Sequence, residues 1–177
     1  CSDWLDVLPK DKQSTDMYWE SSEDVEAILA QGYSRLRTCV PYIINWGELR
    51  GSSVIVPGRG TKTGLIQNFQ VLPSTSTVQW GTFYQVIGMA NAVLKYAPTV
   101  MDKDASYYES RMNSHLTEAY FLRGLSYLYL VRNFREVPLI TEPYVDDAMP
   151  NDVAKSSETE ILELIRSDVH AALATNA

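Results

Sequence analysis

Apolar residues recur every three or four positions in several separate stretches of the chain, which is the period of an amphipathic helix. The first stretch begins at Ser21, where Asp24 three residues later forms an approximate capping box. We expect this helix to end before Pro41, because proline disfavours helix at the residue preceding it. Its predicted buried face consists of Val25, Ile28, Leu29, Gly32 and Leu36.

Three further helices follow from the same periodicity. The second begins near Thr77 and carries Asn91 on an otherwise apolar face, where a buried amide bonded to neighbouring backbone is the simplest interpretation. The third is capped at Ser106 and runs to Phe134, and its second half is apolar on nearly all sides, as in a helix packed between other elements. The fourth begins at the capping box Ser157–Glu160.

The remaining stretches show no helical period. Residues 1–20 read as an extended N-terminal arm, and residues 46–76 form a long segment rich in Gly, Ser, Thr and Pro, with short strands predicted at 53–56 and 65–71. Loops of this length within a compact domain are usually functional or disordered. Helices joined in antiparallel pairs predict an all-α fold of tetratricopeptide-like helical pairs with long irregular loops, which occupies residues 21–177.

Composition narrows the function classes. The net charge of -7 and the pI of about 4.8 disfavour nucleic acid as a partner, because a phosphate backbone would be repelled. The longest uncharged stretch, 63–94, is interrupted by polar residues and Pro73, so it does not read as a membrane span. Two cysteines without CxxC spacing and two histidines make a zinc site improbable, and we expect no metal and no cofactor.

The two cysteines have different interpretations. Cys39 lies in an apolar run and reads as a buried thiol, although a bridge to Cys1 stays open as an alternative. Cys1 is the first residue, and an N-terminal cysteine is where a bacterial lipoprotein carries its acyl chains. A chain that begins with Cys rather than Met also indicates a processed or trimmed product.

The stretch VIVPGRGTKTG, residues 54–64, invites comparison with a phosphate-binding loop. A Walker loop needs glycine directly before its lysine and another glycine five positions earlier, and here Thr61 and Val56 occupy those positions. No cap is evident for a following helix, and Pro73 comes soon after. The spacing therefore excludes a nucleotide site of this kind.

Catalytic patterns are also missing from the sequence. His115 and His170 are isolated on predicted helices, no GxSxG motif occurs, and neither cysteine has a nearby histidine. We therefore expect a non-catalytic binding protein rather than an enzyme. Its many aromatic residues and its polar loop would suit a sugar, whose C–H faces stack while its hydroxyls need partners, but they would equally suit a protein interface.

One segment carries a specific resemblance. EAYFLRGLSYLYLVRNFREVPLITEP, residues 118–143, resembles the signature of the SusD/RagB family of outer-membrane nutrient-binding lipoproteins. Four other blocks resemble segments of the family in the same order: CSDWLDVLP at its mature start, WGELRG, WGTFYQVIGMANAVL and, near the end, SSETEILELIRSDVHAAL. The family usually has Gly-Asp after the phenylalanine of the long helix, where this chain has Arg135-Glu136. The resemblance covers the N-terminal portion of the family, and we therefore expect the C-terminal part of the family fold to be absent from these residues.

This resemblance implies a lipoprotein of the outer membrane, facing outward and anchored through lipid on Cys1. It would capture oligosaccharide, or sometimes peptide, and deliver it to a TonB-dependent, SusC-like transporter. The alternative is a helical-repeat scaffold that binds peptide or protein and has no affinity for glycan. The candidate ligand-binding residues lie in the loop after WGELRG and are Ser52, Arg59, Lys62, Asn68 and Phe69.

Overall fold

A computed structural model describes residues 18–51, 53–58, 60–72, 79–143 and 153–177 of the 177-residue chain. Within these residues the elements, in chain order, are α1 (Ser22–Gly47), α2 (Lys62–Gln67), α3 (Gly81–Val100), α4 (Glu109–Phe134), β1 (Val137–Pro138), β2 (Lys155–Ser156) and α5 (Glu158–Ala174). The prediction of an all-α, tetratricopeptide-like fold is confirmed. Among the described residues, no helix combines the length and the apolar character that crossing a bilayer requires.

The long helices form a stack in which each packs against its neighbours. Helix α3 lies against both α1 and α4, while α4 also contacts α1 and carries α5 on its other side. Helix α4 therefore packs against three helices, which is why its second half carries apolar residues on most of its sides. The largest fully buried side chains of the core include Tyr84, Tyr107, Tyr127, Phe83, Leu122, Leu130 and Ile161.

Helix α1 does not end before Pro41 but continues to Gly47, so the predicted end was wrong. A proline inside a helix removes one backbone hydrogen bond and costs roughly 3 kcal/mol. The residues around it offset this cost by packing, since Cys39 is fully buried and the Trp46 ring stacks on Phe83 with centroids 5.4 Å apart. Tertiary burial therefore outweighs local propensity here.

Some of the predicted helix starts are confirmed and others are not. The capping pairs of α1 and α5 are confirmed: the Asp24 carboxylate accepts from the Ser21 backbone N–H at 2.8 Å, and Glu160 does the same for Ser157 at 2.8 Å. Helix α3 begins at Gly81, later than expected, and α4 begins at Glu109 rather than at its predicted cap.

Ser106 does not cap α4 because it takes part in the preceding turn. Its backbone N–H and its hydroxyl both donate to Asp104 Oδ1, at 2.8 and 2.6 Å. The other oxygen of Asp104 accepts from the backbone N–H of Ser22 at 2.9 Å. These three hydrogen bonds lower the pKa of Asp104 to about 2, and they tie the turn between α3 and α4 to the start of α1.

The predicted short strands are not present. Residues 53–56 lack strand pairing, and α2 occupies the first half of the segment predicted as a strand at 65–71. The described strands instead lie after α4 and before α5. They pair antiparallel, with Val137 opposite Ser156 and Pro138 opposite Lys155.

Candidate ligand-binding loop

The segment of residues 53–72, here called the 53–72 loop, connects the end of α1 to the approach to α3 and is described except for residue 59. Helix α2 organises it. The side chain of Gln67 at the end of α2 accepts from the Val56 backbone N–H at 3.1 Å and donates to the Val54 carbonyl. One amide therefore holds the extended stretch 54–56 alongside the helix, as a strand partner would.

A cap that the sequence analysis did not recognise starts α2. Thr61 Oγ1 accepts from the backbone N–H of Gly64 at 3.1 Å and donates to the Gly58 carbonyl at 2.8 Å. Gly58 itself has φ +95°, a left-handed conformation that glycine adopts without strain. The glycines and threonines that resembled a phosphate loop therefore build a turn and a helix cap.

The inner side of the 53–72 loop is packed against the helical stack. Ile66 is fully buried and lines a cavity of about 40 Å³ together with Trp46, Arg50, Val71, Asn133 and Phe134. The Phe134 ring meets Trp46 edge-on with centroids 5.3 Å apart, and it meets Trp80 at 5.2 Å. A cavity of this size accommodates water but no sugar ring, because pockets for small-molecule ligands begin near 300 Å³.

The outer side of the same loop exposes apolar side chains. Ile55 is 87% exposed, Phe69 is 73% exposed and Leu72 is 62% exposed. The backbone of Phe69 has φ +58°, in the left-handed region, which is uncommon for a bulky residue and costs about 1–2 kcal/mol. The end of α2 imposes this conformation: the Phe69 N–H donates to the Ile66 carbonyl at 3.1 Å and the Gln70 N–H to the Leu65 carbonyl at 2.8 Å, the pattern of a Schellman motif.

The structure describes only some of the ligand-binding residues predicted from the sequence. Ser52 and Arg59 lie outside the described residues, as does Cys1. Lys62 is exposed in the first turn of α2, whereas Asn68 follows its last residue and donates from Nδ2 to the Gly64 carbonyl at 2.8 Å. The structure thus places Lys62, Asn68 and Phe69 on one short helix and the turn that ends it.

The strongest polar cluster lies elsewhere, inside the stack. Arg123 of α4 is buried and forms a bidentate ion pair with Asp168 of α5, with Nε–Oδ2 at 2.9 Å and Nη2–Oδ1 at 2.6 Å. Its Nη1 donates to Asn91 Oδ1 on α3 at 2.9 Å. Three helices are therefore joined by one guanidinium, which suits a planar group with several fixed donors.

The same cluster holds the extended residues 137–143 against the stack. Asn91 Nδ2 donates to the carbonyls of Ile140 at 3.1 Å and Glu142 at 3.2 Å, which confirms the interpretation of Asn91 as a backbone-bonded buried amide. The Tyr127 hydroxyl donates to the Ile140 carbonyl at 3.0 Å and accepts from the Ile140 N–H at 2.7 Å. The Tyr84 hydroxyl donates to the Pro138 carbonyl at 2.6 Å. The residues that carried the family resemblance therefore act as structural ties.

A polar cavity of about 420 Å³ lies beside these ties, between α3, α4 and residues 141–142. Its lining consists of Asn91, Leu94, Lys95, Tyr120, Arg123, Thr141 and Glu142. The sequence analysis did not identify it, and the only available signal was the presence of charged residues within apolar helices. Lys95 Nζ bonds Glu142 Oε2 at 2.9 Å, so the lysine and the acid in the lining neutralise each other.

The cysteine and the two histidines of the described residues lie outside the 53–72 loop and the polar cluster. Cys39 is buried, as predicted, and burial raises the pKa of its thiol to about 12. The alternative of a bridge to Cys1 lies outside the described residues. His115 Nδ1 lies 2.9 Å from the Tyr107 hydroxyl in the core, and burial lowers the pKa of this histidine. Glu26 on α1 lies 3.6 Å from its Nε2. His170 is exposed on α5.

Comparison with known families identifies the class of protein. The family model described as "Starch-binding associating with outer membrane", a SusD-like family, matches residues 3–175. The match covers nearly the whole chain, so this chain belongs to the SusD-like family.

Individual relatives agree with this assignment. The chain is 30% identical to SusD-like protein P38 of Formosa agariphila over 97% of its own length and 33% of the relative. A SusD superfamily protein from Bacteroides thetaiotaomicron superposes with a TM-score of 0.79 at 24% identity, covering 89% of this chain and 36% of that one. A laminarin-binding SusD-like protein gives a TM-score of 0.71 at 26% identity, with 88% and 34% covered. The chain therefore spans about a third of the length of the relatives that it matches.

Proposed function

We propose that this chain is the N-terminal part of a non-catalytic protein that binds oligosaccharide at the outer membrane and delivers it to a TonB-dependent, SusC-like transporter. Membership of the SusD-like family supports the ligand class and the location. A triacylated Cys1 would supply the anchor, since stable attachment requires more than one acyl chain. The proposed role needs no catalytic residue and no cofactor.

The observation that carries the proposal is the exposure of Phe69. The turn that ends α2 holds this aromatic side chain 73% exposed, directly after Asn68 and one short helix away from Lys62. An exposed aromatic face can stack on the C–H face of a sugar, while neighbouring amide and ammonium groups bond its hydroxyls. Ser52, directly before the 53–72 loop, and Arg59 within it are proposed to complete this surface.

The packing of the loop supports a ligand on its outer side and a scaffold role for the helices beneath it. Its inner side is filled by Ile66 and a cavity of only about 40 Å³, so a ligand of sugar size would meet the outer side. The helical stack beneath would act as the scaffold. This arrangement gives the loop a fixed base through Gln67 while its exposed side chains remain available.

Isothermal titration of the full-length protein against a glycan panel that includes laminarin and starch tests the proposal. We expect at least one glycan to bind and Phe69→Ala to weaken that binding, because unburying a Phe ring forfeits about 1.5–3 kcal/mol. This corresponds to roughly a 10- to 150-fold higher Kd. Replacing Arg59 and Lys62 together by Ala should also weaken binding and leave the fold intact.

Tyr108 provides the matched control. It is another exposed aromatic residue, 61% accessible against 73% for Phe69, and it directly precedes α4, at the end of that helix opposite Phe134. Tyr108→Ala should leave the Kd unchanged. No binding across the panel, together with binding of peptides, would replace the proposal by the helical-repeat scaffold.

A further inference from the structure

Basic and acidic residues are distributed unevenly along the chain. All 22 acidic residues lie outside residues 49–101, whereas that stretch contains the basic residues Arg50, Arg59, Lys62 and Lys95. It includes the whole 53–72 loop and helix α3. The chain as a whole has a net charge of -7, so the loop carries positive charge on an otherwise acidic protein.

The fold separates the loop from the main group of acidic residues. Helix α1 begins where α3 ends, since the Ser22 N–H donates to Asp104 at 2.9 Å, and it ends where α3 begins, since Trp46 stacks on Phe83. The acidic residues at the first of these two ends are Glu20, Glu23, Asp24, Glu26, Asp102 and Asp104. The 53–72 loop follows α1 at the second end, about 30 Å away along the 20 residues of α3. Because the Debye length is about 8 Å in physiological salt, the acidic end is screened from the loop.

Two described basic residues at the loop end lack an acidic partner. Arg50, just after α1, and Lys62, in the first turn of α2, are both exposed. Neither forms an ion pair within the described part of the chain, whereas Lys95, Lys103 and Arg111 each have an acidic partner at 2.7–2.9 Å. Arg50 also lines the small cavity beneath the loop. Both cations are therefore placed to meet a ligand of the loop.

Acidic residues at the same end do not cancel this charge. Glu158 pairs with Arg135 at 3.4 Å, and Glu160 accepts from the backbone N–H and the hydroxyl of Ser157. The described charged residues of this end that take part in no ion pair or capping box are the acids Glu48 and Glu136 and the bases Arg50, Lys62, Arg132 and Lys155. A net positive charge therefore remains around the loop.

We propose that the oligosaccharide bound at the 53–72 loop is anionic, with carboxylate or sulfate groups on its sugar rings. The inference rests on the proposed function and specifies its ligand class. The exposed Phe69 ring would stack on a C–H face of the sugar. The Arg50 guanidinium would pair with a carboxylate or sulfate through two parallel N–H bonds, and the Lys62 ammonium would attract a second anionic group.

The lack of carboxylates in the loop distinguishes between neutral and anionic glycans. A neutral sugar presents hydroxyl groups, for which carboxylate side chains are strong acceptors. An anionic sugar would be repelled by the same carboxylates and attracted by unpaired cations, which also speed its diffusional encounter. The sequence of residues 53–72 contains basic residues and no acidic one, which matches the anionic class. A short oligosaccharide meets only this local charge, whereas a long nucleic acid would also meet the acidic remainder of the surface.

Titration of the full-length protein with chemically matched glycans tests the inference. One pair is oligogalacturonate and its methyl ester, which differ in carboxylate charge, and the other is a sulfated laminarin oligosaccharide and its unsulfated parent. At about 50 mM salt we expect an anionic member to bind at least tenfold more tightly than its neutral match. The advantage should shrink as the salt concentration rises to about 500 mM, because screening weakens the attraction between exposed charges.

Two variants with the same change in net charge locate the attraction. Arg50→Gln combined with Lys62→Gln removes the cations at the loop, whereas Arg35→Gln combined with Arg37→Gln removes two exposed cations from the middle of α1. We expect the first variant to raise the Kd for the anionic glycan by about tenfold and to leave any affinity for its neutral match unchanged. The second variant should bind like the parent, and circular dichroism checks that both are folded.

The outcomes separate this inference from the proposed function. A neutral glycan that binds as tightly as either anionic oligosaccharide, or equal losses in the two variants, would overturn the inference and leave the proposed function standing. Absence of binding to both pairs and to the whole glycan panel would overturn both. Poly-L-glutamate carries the charge without the sugar rings, and equally tight binding of it would assign the loop to polyanions in general and also overturn the inference.

Discussion

The interior of the stack and the 53–72 loop use polar and aromatic side chains in opposite ways. In the interior, Arg123, Asp168 and Asn91 are buried and each donates to or accepts from another element. In the loop, the Phe69 ring is exposed in the turn that ends α2, and Lys62 is exposed in the first turn of the same helix. The comparison teaches that the residues resembling the family signature maintain the scaffold, and we propose that the loop carries out recognition.

The largest expected effect tests the interior. Arg123→Ala should reduce the free energy of unfolding by about 3–5 kcal/mol, because it leaves the buried Asp168 carboxylate without its partner. Chemical denaturation in urea measures this loss. Glycan affinity measured below the unfolding transition should be unchanged, since no loop residue contacts this ion pair in the structure described.

A double variant separates the ion pair from simple packing. Arg123→Met combined with Asp168→Leu removes both charges and should be considerably more stable than Arg123→Ala. The double variant still leaves Asn91 Oδ1 without its donor, which costs about 1–3 kcal/mol. Equal instability of the single and double variants would show that the charge pair is not what holds α4 and α5 together.

The next effect concerns the tie to residues 137–143. Tyr127→Phe removes the hydroxyl that serves both the N–H and the carbonyl of Ile140, and we expect a loss of about 1–3 kcal/mol in unfolding free energy. Tyr108→Phe, at an exposed position, is the control and should change stability little. A Tyr127→Phe protein as stable as the parent would argue against this hydroxyl as a structural tie.

A substitution at the end of α4 is expected to stabilise the protein, by less than the preceding substitutions destabilise it. Arg135 has φ +64° and ψ -75°, and the Glu136 N–H donates to the Phe134 carbonyl at 2.8 Å, which makes a strained γ-turn. Arg135→Gly, the residue type usual in the family, should therefore raise the unfolding free energy by about 1 kcal/mol. Thermal unfolding measures the change.

Arg135→Ala distinguishes backbone strain from the ion pair of Arg135 with Glu158, whose atoms are 3.4 Å apart on the surface. Alanine keeps the strain and removes the ion pair, and an exposed pair contributes about 0–1 kcal/mol. We expect its Tm to stay close to that of the parent. A Tm for Arg135→Gly at or below the Arg135→Ala value would contradict the strain account.

The smallest expected effect is a dependence of the Tm on pH, through the carboxylate of Asp104. Hydrogen bonds from Ser106 and Ser22 lower the pKa of Asp104 to about 2, so its contribution to stability is complete above about pH 4. As the pH falls through 2, protonation in the folded state removes that contribution. The Tm difference between the parent and Asp104→Asn should therefore be largest near neutral pH and should close between pH 4 and pH 2, whereas exposed Asp102→Asn should follow the parent throughout.

Local patterns predicted part of this structure well. The capping boxes at Ser21 and Ser157 depend only on residues that are close in sequence. The burial of the Asn91 amide follows from its position on an otherwise apolar helix face. Both kinds of pattern can be recognised in the sequence. The continuation of α1 through Pro41 was missed, because it depends on aromatic packing from α3 and α4.

The sequence predicted where the candidate loop lies but not how it is held together. Glycine and threonine composition located the loop, but the cap at Thr61 and the clamp by Gln67 arise from contacts between residues up to thirteen positions apart. The polar cavity beside Arg123 joins three separate segments, and no sequence pattern indicates such a meeting. Long-range packing therefore set the limit of the sequence analysis.

The central claim is that ligand meets the outer side of the 53–72 loop and not the interior cluster. Hydrogen–deuterium exchange of the full-length protein, with and without the glycan that binds best in titration, tests it directly. We predict slower exchange on binding in peptides that cover residues 60–72, with no change in peptides that cover residues 137–143. Protection confined to residues 137–143 and the facing parts of α3 and α4, with none in the loop, would contradict the account.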